Sequence, residues 1–268
     1  SSYAWANGAA STAGAVTWVN GSTGKTSNGS NTISSANSLV GSQSGDLVGV
    51  DGTIALTNGN YVVDSANWSN GSTTNAGAVT WVNGINGQTS NSSNTISSSN
   101  SLVGSQTDNY VGIGGITALT NGNYVVDSDL WSNGGTGDVG AVTWVNGSNG
   151  QTSNGSNTIS SANSLIGSQA GDYVGWGGVK VLTNGNYVVD SWEWANGSNS
   201  QAGAVTWGSG ATGITGTVSS SNSLVGSQTN DDVGEGGIVT LTNGNYVVNS
   251  YNWANGAATA AGAATWGD

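Results

Sequence analysis

The segment Leu56-Thr57-Asn58-Gly59-Asn60-Tyr61-Val62-Val63 returns unchanged from Leu119, from Leu182 and from Leu241, at intervals of 63, 63 and 59 residues. Two tryptophans keep the same beat. Trp5, Trp68, Trp131, Trp194 and Trp253 mark one place, each followed after one residue by Asn-Gly, and Trp18, Trp81, Trp144, Trp207 and Trp266 mark another. A chain built this way does not fold around one irregular core, because every unit carries the same apolar face and only a neighbouring unit can bury it. It reads as a single repeat domain over 1–268, with units at approximately 5–67, 68–130, 131–193 and 194–252, and 253–268 as a partial fifth. The fourth unit is four residues shorter between Trp207 and Leu224, which marks that stretch as a surface loop.

Within a unit the pattern is all-β. Gly115 to Thr120 and Asn123 to Val126 are strand-forming runs joined by Asn121-Gly122, the dipeptide whose tolerance of positive φ suits a two-residue type I′ hairpin. Gly140 to Val145 and Asn163 to Gly167 add two further strands between turn formers. No segment carries a helical period. Four strands per unit, with no proline to protect an edge, require closure or pairing of the sheets.

Composition excludes much of enzymology. The chain has no Cys and no His, so disulfides, Cys or His metal sites, Ser-His-Asp triads and thiol nucleophiles are absent. Two cations, Lys25 and Lys180, against fourteen acids give a net charge of −12, which repels nucleic acid and anionic membranes alike. Twelve tryptophans and 35% hydrophobic residues nevertheless argue for a folded chain. No apolar run is long enough for membrane insertion. Ser1-Ser2-Tyr3-Ala4-Trp5 lacks an initiator Met and the basic start of a signal peptide, so the expectation is a processed or excised piece. The Asn, Ser, Thr and Gly surface without Cys suggests an extracellular or cell-surface location.

The order Val111-Gly112, apolar strand, Thr120-Asn121-Gly122-Asn123, Tyr124-Val125-Val126, Gly loop and Gly140-Ala141-Val142-Thr143-Trp144 resembles the FG-GAP repeat of integrin-α-type β-propellers. It is also similar to the repeat arrays of bacterial haemagglutinin-like surface adhesins. The resemblance covers the whole chain and implies a β-propeller of four-stranded blades. In that family the loop between the first two strands often holds calcium through several acids. Here Asn121-Gly122-Asn123 is shorter and carries no carboxylate, so neither calcium nor any other cofactor is expected. The competing architecture is a β-solenoid, with sixty residues making about three rungs. The Asn-Gly hairpin favours blades, since a solenoid coil rarely folds back on itself.

The strand Gly14-Ala15-Val16-Thr17-Trp18 occurs five times, the last as Gly262-Ala263-Ala264-Thr265-Trp266, whereas the other three strands occur four times each. In a closed four-bladed ring one terminal copy is surplus. Its expected use is strand addition between subunits, giving head-to-tail self-association into filaments or oligomers.

Two chemistries remain. Trp68-Ser69-Asn70-Gly71 and its copies have the composition of a sugar site, a ring for the apolar face of a glycan and amides for its hydroxyls. On that reading Trp5, Trp68, Trp131, Trp194 and Trp253 with Asn70, Asn133 and Asn196 form a multivalent set. The equally simple reading packs these rings between blades. Trp176 and Trp192 stand where other units have smaller or charged residues, and suggest an exposed patch in one unit. The acid pairs Asp127 with Asp129, Asp231 with Asp232, and Asp190 with Glu193 do not recur in every unit, and acids in loops of so acidic a chain are expected to be solvated. The sequence therefore points to a non-enzymatic structural or adhesive repeat protein, part of a surface filament or giant adhesin, with a glycan-binding lectin as the alternative.

Overall fold

The computed structural model describes residues 1–268, an all-β chain without a helix. The first sheet pairs β1 (Ala15–Thr17) with β2 (Ser38–Val40). The second holds β3 (Gly52–Ala55), β4 (Tyr61–Ser65), β5 (Ala78–Val82) and β6 (Ser101–Val103), and the third holds β7 (Gly115–Ala118), β8 (Tyr124–Ser128), β9 (Ala141–Val145) and β10 (Ser164–Ile166). The fourth is made by β11 (Gly178–Val181), β12 (Tyr187–Ser191), β13 (Ala204–Gly208) and β15 (Ser223–Val225), while the intervening β14 (Gly216–Thr217) crosses to the edge of the third. The fifth has β16 (Ile238–Thr240), β17 (Tyr246–Ser250) and β18 (Ala263–Gly267). Each complete sheet is an antiparallel meander of consecutive strands, with Val63 opposite Thr80 and Val79 opposite Leu102 in the second.

The hairpin forms in every unit that contains it, but not with the expected turn. Gly59 N–H donates to Leu56 C=O and Leu56 N–H to Asn60 C=O, which encloses Thr57, Asn58 and Gly59. Only Gly59 sits at positive φ, +88°. This is a three-residue loop, a type I turn closed by a left-handed glycine, rather than a two-residue type I′ turn.

Strict alternation sends successive side chains to opposite faces, and both faces are apolar. Val62, Val79, Trp81 and Leu102 point forward to the third sheet, where they share one core with Tyr124, Val126, Trp131, Ala141, Val145 and Ile166. Val63, Trp68, Ala78, Val82 and Val103 point backward and share a core with Val16 and Leu39 of the first sheet. The same division joins the third sheet to the fourth and the fourth to the fifth. Two apolar faces per strand explain why Ala141, Val142 and Trp144 show no alternation with polar residues in the sequence.

Five sheets thus share four cores, so the chain is an open stack and the four-bladed closed ring is not formed. The widest side-chain hydrogen bonds, from Asn58 to Gly147 and from Asn121 to Gly210, span 89 residues and join adjacent sheets. The surplus strand disappears as well, because all five copies are strands of separate sheets. β1 is paired on both sides, with Ser2 bridging Ala15 and β2 opposite, whereas β18 pairs only with β17. One solenoid trait coexists with the blade-like meanders. The outermost strand of each of the first three sheets is met in parallel by the chain that follows, at Val40 and Thr95, Val103 and Thr158, and Leu165 and Gly216.

Candidate functional site

The junction between sheets is built from the identical hairpin. The Gly147 carbonyl, just after β9 of the third sheet, accepts three side-chain donors from the second sheet: Trp81 Nε1 at 2.7 Å, Asn58 Nδ2 at 2.8 Å and Asn60 Nδ2 at 2.9 Å. One junction on, the Gly210 carbonyl accepts Trp144 Nε1 at 3.0 Å, Asn121 Nδ2 at 2.7 Å and Asn123 Nδ2 at 3.0 Å. The N–H of each glycine is held by its own sheet, Gly147 donating to Asn123 Oδ1 and Gly210 to Asn186 Oδ1. Both positions require glycine, since a Cβ on Gly147 would fall on the Gly122 carbonyl oxygen and one on Gly210 on that of Gly185. The first sheet contributes only Trp18, whose Nε1 donates to Gly84 C=O at 2.9 Å.

The indoles complete the junction. Trp81 and Trp144 are 6% exposed and lie over Gly150 and Gly213 of the next unit. Trp207 and Trp266 occupy the same place in the fourth and fifth units but donate to no acceptor, and they are 39% and 58% exposed. The forward side of the last sheet therefore presents apolar surface at Trp266 and Val239, and the fourth sheet is left partly uncovered at Trp207 and Leu224. An apolar cleft of about 260 Å³ opens beside it, lined by Leu224, Val225, Trp253, Ala263 and Thr265.

The tryptophans expected to meet sugars are elsewhere. Trp68, Trp131 and Trp194 are 3–4% exposed inside the cores, so no ring face is free for a glycan, and only Trp5 and Trp253 at the ends are half-buried. Asn70 and Asn133 shape tight turns, each pairing its backbone with the residue three further on, and the Asn196 amide donates to Gly226 C=O. The extra tryptophan Trp176 is exposed, its ring 5.4 Å from that of Tyr173, and Trp192 is half-buried. The largest cleft, about 500 Å³, lies between the last two units and is polar, with Gln201, Gln228, Asn230, Asp232 and Asn252 on its walls.

The acids are not the solvated loop residues that composition suggests. Asp46, Asp172 and Asp231 are buried staples: Asp46 Oδ2 accepts the N–H groups of Ser42 and Gln43, and Oδ1 accepts that of Ser69. Burial pushes the Asp46 carboxyl up, and those backbone bonds pull it back. Asn109 does the same work by exchanging a partner, its Oδ1 accepting Ser105 and Gln106 N–H while Nδ2 donates to Ser132 C=O. Asp64, Asp127 and Asp190 are buried in the junctions, each with Oδ1 unpartnered. Desolvation is the main cause that raises all three, Asp64 to about 8 and Asp190 to about 7. Asp127 and Asp190 are thereby sealed from any substrate, and no three acids converge on a metal position.

Sequence reading missed a further polar ladder. Thr80 and Ser101 hydroxyls bond across β5 and β6 at 2.7 Å, as do Thr17 with Ser38, Thr143 with Ser164, and Thr206 with Ser223. Beside it, buried Asn100 accepts the N–H of Ser97 and donates to Thr95 C=O. The recurrence of Ser-Leu-Val after Asn was the available signal.

The chain belongs to a family described as "Repeat of unknown function (DUF5650)", whose model matches residues 1–50, 55–113, 118–176, 181–235 and 240–268. Five matches agree with the five sheets. None of the curated proteins matches the chain.

Proposed function

We propose that the chain is a non-enzymatic structural or adhesive module of an extracellular or cell-surface repeat protein, a segment or subunit of a surface filament or giant adhesin. Its units are read as FG-GAP-like blades arranged as an open array rather than a closed propeller. The observation that carries this reading is the junction: the second and third sheets each send a Trp and two Asn donors forward onto one glycine carbonyl of the next sheet, so the array extends by repetition of a single interface. The exposed forward face of the last sheet at Val239 and Trp266, with Trp207 of the fourth sheet partly uncovered beside it, supports end-to-end association, as a heterologous contact that does not close on itself. The free edge of β18, over Ala263, Ala264 and Thr265, supports strand pairing there, whereas β1, over Ala15, Val16 and Thr17, has both edges filled.

Sedimentation velocity across a concentration series tests assembly. The expected result is a boundary that shifts to larger species as concentration rises, and a shift abolished by Trp266→Asp. One unchanging monomer boundary throughout refutes the assembly half of the proposal. The second reading, glycan binding, is favoured only by the amide-lined cleft between the last two units. A glycan array with reproducible hits, lost in Gln228→Ala, would replace the structural reading by the lectin.

A further inference from the structure

Asp64, Asp127 and Asp190 repeat at one place, the end of the second strand of their sheets, and each reaches forward into the next unit. A Cβ on Gly112 would fall on Asp64 Oδ1, one on Gly175 on Asp127 Oδ1, and one on Gly234 on Asp190 Oδ1. Each carboxyl oxygen therefore presses on a glycine of the following sheet, is buried, and has no hydrogen-bond partner. Such a site is costly for a carboxylate and tolerable for a neutral carboxyl.

The charged surroundings do not offset that cost. Asp64 faces Asp51 from the edge of its own sheet, which adds repulsion, and Asp127 faces Asp129. Asp190 alone has a cation near it, Lys180 on β11. From the next unit, the residues two before the facing glycines are Tyr110, Tyr173 and Asp232, none of them cationic. The fold itself supplies a control. At the first junction the same position is Ser1, whose hydroxyl donates to Gly49 C=O at 2.9 Å, and in the last sheet, which no further sheet follows, it is the neutral isostere Asn249.

We propose that Asp64, Asp127 and Asp190 form a proton-operated latch at the second, third and fourth junctions, which holds the sheets stacked while the carboxyls are neutral and loosens them on ionisation. The array is then tightest in acid and opens as the medium becomes neutral to alkaline. The inference is independent of any end-to-end assembly, because it concerns junctions inside one chain.

The sign follows from linkage. With folded values raised above the ordinary 3.8, the folded chain binds more protons than the unfolded one, so stability is full below 3.8. It is lost as pH rises, until about 7 at Asp190 and about 8 at Asp64. Each proton released on unfolding raises the unfolding constant about tenfold per pH unit within that window. The test is urea unfolding of the full chain from pH 4.5 to 8.5, at fixed salt, against the triple variant Asp64→Asn, Asp127→Asn, Asp190→Asn. The expected wild-type pH slope exceeds that of the variant by up to three protons, and the variant is the more stable at pH 8. Parallel slopes overturn the proposal. Should the triple variant not fold, each single Asn variant is expected to lower the slope by about one proton, and single variants with the wild-type slope overturn the proposal equally. An independent readout is the infrared carbonyl stretch of a neutral carboxyl at pH 6, expected in the wild type and weakened by each substitution. Its absence at pH 6 refutes the latch.

Discussion

Replacing the junction tryptophans one at a time by alanine should give costs that depend on place in the stack, although the local sequences are nearly the same. A buried Trp removes roughly 200 Å² from water, and about 25 cal/mol per Å² makes a fully covered ring worth on the order of 5 kcal/mol. Trp144 is 6% exposed and also donates to Gly210, so Trp144→Ala loses nearly all of that area, leaves a cavity and forfeits one hydrogen bond. About 5 kcal/mol is expected, with Trp81→Ala alike. Trp207, 39% exposed and without an acceptor, should cost about 3 kcal/mol, and Trp266, at 58%, about 2 kcal/mol or less. The quantity the experiment reads is the gap of about 3 kcal/mol between Trp144 and Trp266. The assay is urea unfolding followed by far-ultraviolet circular dichroism, since fluorescence would lose its reporter, at concentrations where sedimentation shows no association. Equal costs at Trp144, Trp207 and Trp266 would refute the open stack, because only a covered forward face can make the last tryptophans equivalent to the interior ones.

The same logic sorts three further substitutions. Asn121→Ala should cost about 1 kcal/mol more than Asn243→Ala, because both side chains serve their own turn but only Asn121 donates across a junction. Equal urea midpoints for the two would remove the cross-unit bond from the account. Gly147→Ala should destabilise by about 3 kcal/mol or fail to fold, whereas Gly21→Ala, with open space at its Cβ, should leave the midpoint unchanged. Trp131→Phe should change stability by no more than about 1 kcal/mol, since the smaller ring loses contacts but also removes a buried indole N–H that has no partner. A loss matching that of Trp144→Ala would show that this N–H is bonded after all.

How far the fold could be read depended on the range of the interactions. The four strands of a unit are set by short runs such as Tyr124-Val125-Val126 between turn formers, and these form where alternation and propensity place them. The turn type was not legible from Asn-Gly alone, because Leu56 and Asn60 close a loop that includes Thr57 and leave only Gly59 at positive φ. Closure was not legible either, since a ring and an open stack share the same period, and only the count of cores against sheets separates them. The acids misled for a related reason. Asp127 reads as a solvated loop residue in an acidic chain, yet it packs against Gly175, about 48 residues away. The exchange of Asp172 for Asn109 concealed a staple that works through either chemistry.

The junction also accounts for which residues repeat without change. Strand positions tolerate exchange, Val103 for Ile166 or Ile116 for Val179, because a stacked core needs apolar volume more than a particular shape. Asn58, Asn60 and Trp81 do not vary in the same way, because their donors converge on a single carbonyl, and losing one residue affects two units at once. In a linear array each interface adds a nearly equal increment, so a unit with a weakened junction becomes the place where the stack parts. The three acids sit at such places. An array whose junctions are individually strong and jointly sensitive to protons can hold its length in one medium and yield in another without any unit changing its fold.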